Sequence, residues 1–340
     1  MVRKKSDRLQ AFQLVVQHTY SKFDVAVVGE LNLDIILSGL PHTLQLDHEY
    51  LAHDLKITLG SSSAIFAHNL ALLGNKVSFS SSIGEDAFGE LCLQRLGESG
   101  TDLSGVVRHA KQQTGLTVIL AQDVQRYILT YPGTMSAMRY EDLNLEYVCH
   151  AKHFHLSSYF LQRALRPKMV ELFQHVKQRG LTTSLDTNDD PEEQWSEDIF
   201  PLLTYVDVLL PNEREACKLS RAQTVEAAAK SLSDAVPLVV IKRGSEGALA
   251  RRGSELFSAP PLASAFVDAV GAGDSFDAGF IHQYIRGAKI EDCLQFGNIA
   301  GALSVTRAGG TEAFRDKSHR ERFLSLHRPK YAVPPTTDPS

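Results

Sequence analysis

HFHLSSYFLQRALRPKMVELFQHVKQRGLTTSLD, residues 153–186, carries the reading that decides the fold. Residues 153–156 form a short run of strand length. Leu165, Met169, Leu172, Phe173 and Val176 then recur at helical spacing until Gly180 closes the helix, and residues 182–186 begin a second strand. The same unit recurs on either side. Residues 24–29, with Val25, Ala26, Val27 and Val28, make a continuous apolar run suited to a buried parallel strand, and 77–83, 206–210 and 238–242 are further candidates. Residues 61–73 (closed by Gly74), 88–96, 272–286 and 290–307 carry helical patterns. Strands alternating with helices of this length predict an α/β three-layer sandwich with a mainly parallel sheet.

Two regions break the rhythm. Residues 31–37 with 49–58, and 114–121 with 125–131, read as extended segments without intervening helices. They predict a small antiparallel sheet. Ligands of open α/β sheets bind outside the carboxyl ends of the strands, so insertions there would form a lid.

The chain has 340 residues and 35 Lys+Arg against 40 Asp+Glu, a net charge of −5, with 43% hydrophobic and 22% charged residues. That composition excludes a disordered or coiled-coil protein and leaves no electrostatic footprint for nucleic acid. No apolar run reaches the roughly 18 residues of a membrane span, so neither nucleic acid nor membrane is an expected partner. Cys92, Cys149, Cys217 and Cys293 lie far apart without a Cys-x-x-Cys pair, which fits a reducing, cytoplasmic location. Residues 1–22 read as a basic extension (Arg3, Lys4, Lys5, Arg8) with one short helix over 10–20. Residues 23–325 form the body, and 326–340 a flexible tail.

The chemistry concentrates in DAVGAGDSF, residues 268–276. Gly271, Ala272 and Gly273 leave backbone amides uncovered where a helix begins, and first-turn N–H groups with the helix dipole suit phosphate. Asp274 sets a carboxylate beside that anion site. Such a carboxylate acts as a general base on an attacking hydroxyl while the amides hold the transferring phosphoryl charge. The alternative is a plain turn with an acidic residue in a first helical turn. Asn212 and Glu215 follow the strand at 206–210 and either cap a helix or order hydrated Mg²⁺ around ATP phosphates. Lys242 and Gly244 end another strand, as positive charge at the sheet edge or as a solvated turn. Asn32 and Asp34 share one face of an extended segment, where Asp is unfavourable. They either bind polyol hydroxyls or lie at a surface edge. Gly60 and Ser61 present amides and a hydroxyl to a polar ligand, or Ser61 is only a helix cap. His153 and His155 are read as structural. No Walker motif, dinucleotide fingerprint, nucleophile elbow or His-Glu-x-x-His pattern occurs.

With these segments in hand, the chain resembles the PfkB, or ribokinase-like, family of carbohydrate kinases over roughly residues 23–314. The carriers are Asp268-x-x-Gly271-Ala272-Gly273-Asp274, Asn212-x-x-Glu215 and the segment Ile83-Gly84-Glu85-Asp86-Ala87-Phe88-Gly89. The resemblance implies a Rossmann-like sandwich with a small β lid through which many members dimerise. It implies an anion hole at Gly271–Gly273, Asp274 as catalytic base, and ATP with Mg²⁺ as cofactors. Lys242 and Gly244 would lie near the ATP phosphates and Asn298 near the adenine. In cation-activated members, carbonyls at the positions of Asp268, Val270, Ser304, Arg307 and Gly309 would hold K⁺. The departure is at the substrate end: Ser61 stands where a second glycine is usual and Ile65 where an Asn is. The expectation is an ATP-dependent kinase of a small sugar-like alcohol. A nucleoside kinase of the same fold and a non-catalytic sugar-binding relative are the alternatives.

Overall fold

The computed structural model describes residues 21–327 apart from 42, 123 and 124. The helix expected over 10–20 and the tail beyond 327 lie outside the described residues. Within them, β-branched residues build the first strand, β1 (Phe23–Val28), whose Val25 and Val27 look to one face and Ala26 and Val28 to the other, all buried. β1 pairs in parallel with β4 (Val77–Gly84) on one side and β8 (Ala151–Ser157) on the other. β5 (Asp102–His109) completes the first edge. Beyond β8 come β9 (Thr182–Asp186), β10 (Val208–Leu209) and β11 (Leu238–Lys242), all parallel, then the antiparallel pair β12 (Ala248–Arg252) and β13 (Glu255–Ala259). The order of this nine-stranded sheet is β13-β12-β11-β10-β9-β8-β1-β4-β5. The chain winds outward in one direction from β1 and in the other from β8, so the crevice for a ligand opens at their carboxyl ends.

Helices cover both faces. The helix α1 (Ser62–Leu72), with α2 (Ala272–Tyr284) and α3 (Ile290–Ser304), brings Phe66, Phe276 and Phe280 onto the face of Val25 and Val27. Helices Met169–Gln178 and Val225–Leu232 pack Leu172, Phe173 and Ala228 on the other face. Each half of the sandwich therefore has its own apolar layer. His153 and His155 sit inside the first layer as structural residues. Their four ring nitrogens meet hydroxyls of Thr182, Ser184 and Ser157 at 2.7–2.8 Å, and His155 stacks on Phe66.

The smaller sheet has the order β3-β2-β6-β7, from β2 (Asn32–Ser38), β3 (Asp54–Leu59), β6 (Gly115–Gln122) and β7 (Gln125–Tyr131). It corrects the expected all-antiparallel sheet: β2–β3 and β6–β7 are antiparallel hairpins, but their inner strands β2 and β6 pair in parallel. Both hairpins start from the carboxyl edge of the body and return to it, so their outgoing strands run the same way. The edge strands β5 and β13, and β12 beside β13, carry no long apolar run and were not among the expected strands. Among the described residues no helix is long and apolar enough to cross a membrane, and all four cysteines are free.

Candidate active site

The site grows from side chains at the carboxyl ends of parallel strands. Just past β1, Glu30 is buried and gathers donors from two segments: Ser63 N–H and Oγ at the start of α1, and Ser158 Oγ and Gln162 Nε2 after β8, at 2.7–3.3 Å. Burial raises its carboxyl above the usual range, tempered by those donors. This knot sets the start of α1. Ser61 caps α1 at φ 61°, ψ 138°, a region L side chains rarely adopt, and its hydroxyl donates to Glu30 O at 2.7 Å.

Opposite lies the start of α2. Gly271, at φ 72°, turns the chain into the helix, and a Cβ there would sit 2.5 Å from Gly310 Cα. Ala272 N–H is taken by Ala269 O at 3.3 Å. That corrects part of the expected anion hole. The amides left without a partner among the described residues are those of Gly271, Gly273 and Asp274, with Ala272 serving the turn. Asp274 is buried at 8% exposure. Burial pushes its carboxyl up to about 7, and the Asp186 charge adds to this, while Lys242 and the Ser62 hydroxyl oppose it.

Asp34 is the second buried carboxyl of the cleft, at 6% exposure. Burial again raises it to about 7; the Asn32 amide works against this, and the charges of Asp274 and Asp268 add to it. Asn32 Nδ2 donates to Asp34 Oδ1 at 3.4 Å and to Thr117 Oγ1 at 3.2 Å, and its own Oδ1 is buried without a partner among the described residues. Gly60 lies against both side chains, so that any Cβ would strike Asp34. The small sheet is tied to the body by Thr58 Oγ1, which donates to Glu312 Oε1 at 3.1 Å.

The remaining candidates fall on the neighbouring strand ends. Lys242 Nζ bonds Asp186 Oδ2 at 2.7 Å and Asp277 Oδ2 at 2.9 Å. It is therefore not a free phosphate ligand here, though it adjoins the anion loop, 3.6 Å from where a Cβ on Gly273 would lie. Burial alone would lower its pKa, but the two acids outweigh it and hold the ammonium charged. Asn212 and Glu215 form a capping box: Glu215 N–H donates to Asn212 Oδ1 at 2.9 Å and Asn212 N–H to Glu215 Oε2 at 2.8 Å. Burial and then Asp186 push Glu215 up to about 7. Asn298 Nδ2 donates to Pro260 O at 2.8 Å and Ala259 O at 3.2 Å, bracing the wall of a mainly apolar cavity of about 550 Å³ that reaches from Gly244 and Phe266 to Gly273 and Ala302. Ile65, 3% exposed, packs beneath the loops at Gly271 and Gly310.

Two ions implied by the resemblance can be tested against these residues. Among the described residues no three His, Cys, Asp or Glu side chains gather into a metal cage. Among the described residues buried Asp277 Oδ1 has no hydrogen-bond partner, and Glu215, raised despite the opposing charge of Lys242, makes no ion pair, so the donor set suits a hydrated Mg²⁺ rather than a caged one. The carbonyls of Asp268, Val270, Arg307 and Gly309 accept no backbone hydrogen bond among the described residues, and that of Ser304 accepts only a long one, 3.4 Å from Arg307 N. Carbonyl oxygens of this kind fit a monovalent cation.

Glu30, Asp186 and Asp277 were missed by sequence reasoning. Glu30 and Asp186 each stand at the carboxyl end of a buried strand, and that position alone was signal enough.

Residues 22–317 match the pfkB family carbohydrate kinase model. A 2-dehydro-3-deoxygluconokinase of Bacillus subtilis is 30% identical over 79% of the chain and 87% of that protein. A sugar kinase of Archaeoglobus fulgidus is 27% identical over 72% of the chain and 96% of that protein. Among solved structures, the ribokinase of Arabidopsis thaliana complexed with ribose and ATP superposes with a TM-score of 0.75 at 26% identity, covering 91% of the chain and 99% of its own.

Proposed function

The chain belongs to the pfkB family of carbohydrate kinases, and from that premise we propose that it moves the γ-phosphoryl group of ATP to a hydroxyl of a sugar-like substrate beneath the lid. The observation that carries this reading is Asp274: a buried carboxyl pushed up to about 7, beside amides that have no partner among the described residues. A base is most useful when its pKa lies near the working pH. Asp34 and Asn32 would bind and orient the acceptor hydroxyls, with Gly60 and Ser61 shaping the floor. Asp274 would take the proton of the attacking hydroxyl as its oxygen bonds to the γ-phosphorus and the bond to ADP breaks. The amides of Gly271, Gly273 and Asp274 would hold the charge that moves onto the phosphoryl oxygens.

The cavity ending at Gly273 would take the nucleoside of ATP, with Gly244 and Asn298 in its walls. Asn212 and Glu215 would hold Mg²⁺ through water. Bound there, the ion would supply charge neutralisation for the phosphates. K⁺ among the carbonyls of Asp268, Val270, Ser304, Arg307 and Gly309 would steady the loop that presents the amides. Tyr127, Leu129 and Tyr131, each about half exposed on one side of the outer lid strand, support pairing of two copies through the lid.

The test is ADP release with ATP, Mg²⁺ and a panel of neutral sugars, sugar acids, sugar phosphates and nucleosides, with and without K⁺. Turnover with a sugar-type acceptor is expected. Turnover confined to nucleosides, or binding without ADP across the panel, contradicts the reading.

A further inference from the structure

Arg126 has no part in the chemistry above. It sits on β7, where alternation puts it on the face of Thr130, and Thr130 joins through Thr117 to Asn32. Arg126 therefore belongs to the same inner face of the lid as Asp34. From there it reaches over the body, its guanidinium 3.8 Å from Asp268 Oδ1. That is an ion pair beyond hydrogen-bond length. Both Asp268 oxygens already accept backbone N–H groups, of Val270 at 3.1 Å and Gly309 at 3.0 Å. Among the described residues the fork of donors on Arg126 makes no hydrogen bond. Its charge also acts on Asp34.

An open guanidinium fork in a cleft matches two oxygens of an oxyanion at once, which a hydroxyl cannot match. The cleft also holds Asp34, Asp268 and Asp274, so a neutral sugar would leave Arg126 with only its long pair, while an anionic one would find its counter-charge there. We propose that Arg126 binds an anionic group of the acceptor, so that the substrate is a sugar acid or a sugar phosphate, held by its charged end at the lid and by its hydroxyls at Asp34. This rests on the kinase reading above. Carboxylate and phosphate share the chemistry that Arg126 reads, and matched substrates separate them.

The experiment compares wild type, Arg126→Gln and Arg126→Lys in ADP release with a neutral sugar, the corresponding sugar acid and the corresponding sugar monophosphate. The ratio of kcat/KM for the anionic over the neutral acceptor is the readout. It should favour the anion in wild type, fall about 10- to 100-fold in Arg126→Gln, and recover in part in Arg126→Lys. The arm that loses the ratio identifies carboxylate or phosphate. If Arg126 only latches the lid to Asp268, both acceptors suffer alike and the ratio stays fixed. A fixed ratio, or a wild type that prefers neutral sugars, overturns the proposal and leaves the kinase reading standing. Absence of ADP with every acceptor overturns the kinase reading itself.

Discussion

The two ends of the cleft are built on different principles. The proposed phosphoryl end is local: Gly271, Gly273 and Asp274 are neighbours in sequence, set by one helix start and braced by Gly310 and Ile65. The proposed sugar end is assembled from far apart: Asn32 and Asp34 from β2, Thr117 from β6, Gly60 and Ser61 before α1, and Arg126 from β7. The first end sits on the packed body. The second hangs on a four-stranded lid whose outer strand exposes Tyr127, Ile128 and Leu129 by more than half. A local, buried device serves a step common to many acceptors. A device spread over hairpins changes its specificity by single substitutions without disturbing the step.

Substitutions at the two ends should therefore separate rate from binding. The largest effect is expected at Asp274. Asp274→Asn should lower kcat by about 10²–10⁴, measured by ADP release, with substrate affinity nearly unchanged. A rise in KM at constant kcat would erase the distinction between the ends. The same variant should be more stable than wild type at high pH. The folded chain holds the Asp274 proton up to about pH 7, against 3.8 for the ordinary carboxyl. The unfolded chain therefore releases it first, and stability falls as pH rises through that window. The gain in Asp274→Asn should be on the order of 1–3 kcal/mol at pH 8 and smaller at pH 5, by denaturant unfolding.

Next comes the sugar end. Asp34→Asn keeps the shape but loses the charged acceptor of hydroxyl protons, and should raise KM about 10-fold or more with a smaller change in kcat. The smallest effect concerns the floor between the ends. Ser61→Gly relieves the strained φ of 61° but loses the cap and the bond to Glu30 O. Because glycine in place of a serine cap costs only a few tenths, the net should be a stabilisation of about 1 kcal/mol. A loss of stability on thermal unfolding would show that the hydroxyl outweighs the strain.

The same contrast explains what could be read from the sequence. The alternation over residues 153–186 was enough for the parallel sheet, because buried strands and capped helices leave local patterns. The helix start at Gly271 was legible for the same reason. The pairing of β2 with β6 was not, since it joins segments some 80 residues apart and depends on where both hairpins leave the body. Nor was the capture of Lys242 by Asp186 and Asp277, which only the folded strand ends bring together. Ile65 was legible as a departure, but its place beneath Gly271 and Gly310 was not.

The most direct test of the central claim is the pH dependence of kcat at saturating acceptor, in wild type and in Asp274→Asn, because the binding carboxyl Asp34 also titrates at about 7 and acts mainly on KM. If a buried carboxyl at the phosphoryl end takes the proton, activity in wild type should rise with pH and level off above about 7. The residual activity of the variant should lack that limb. An identical rising limb in both proteins would place the titrating base elsewhere and contradict the account.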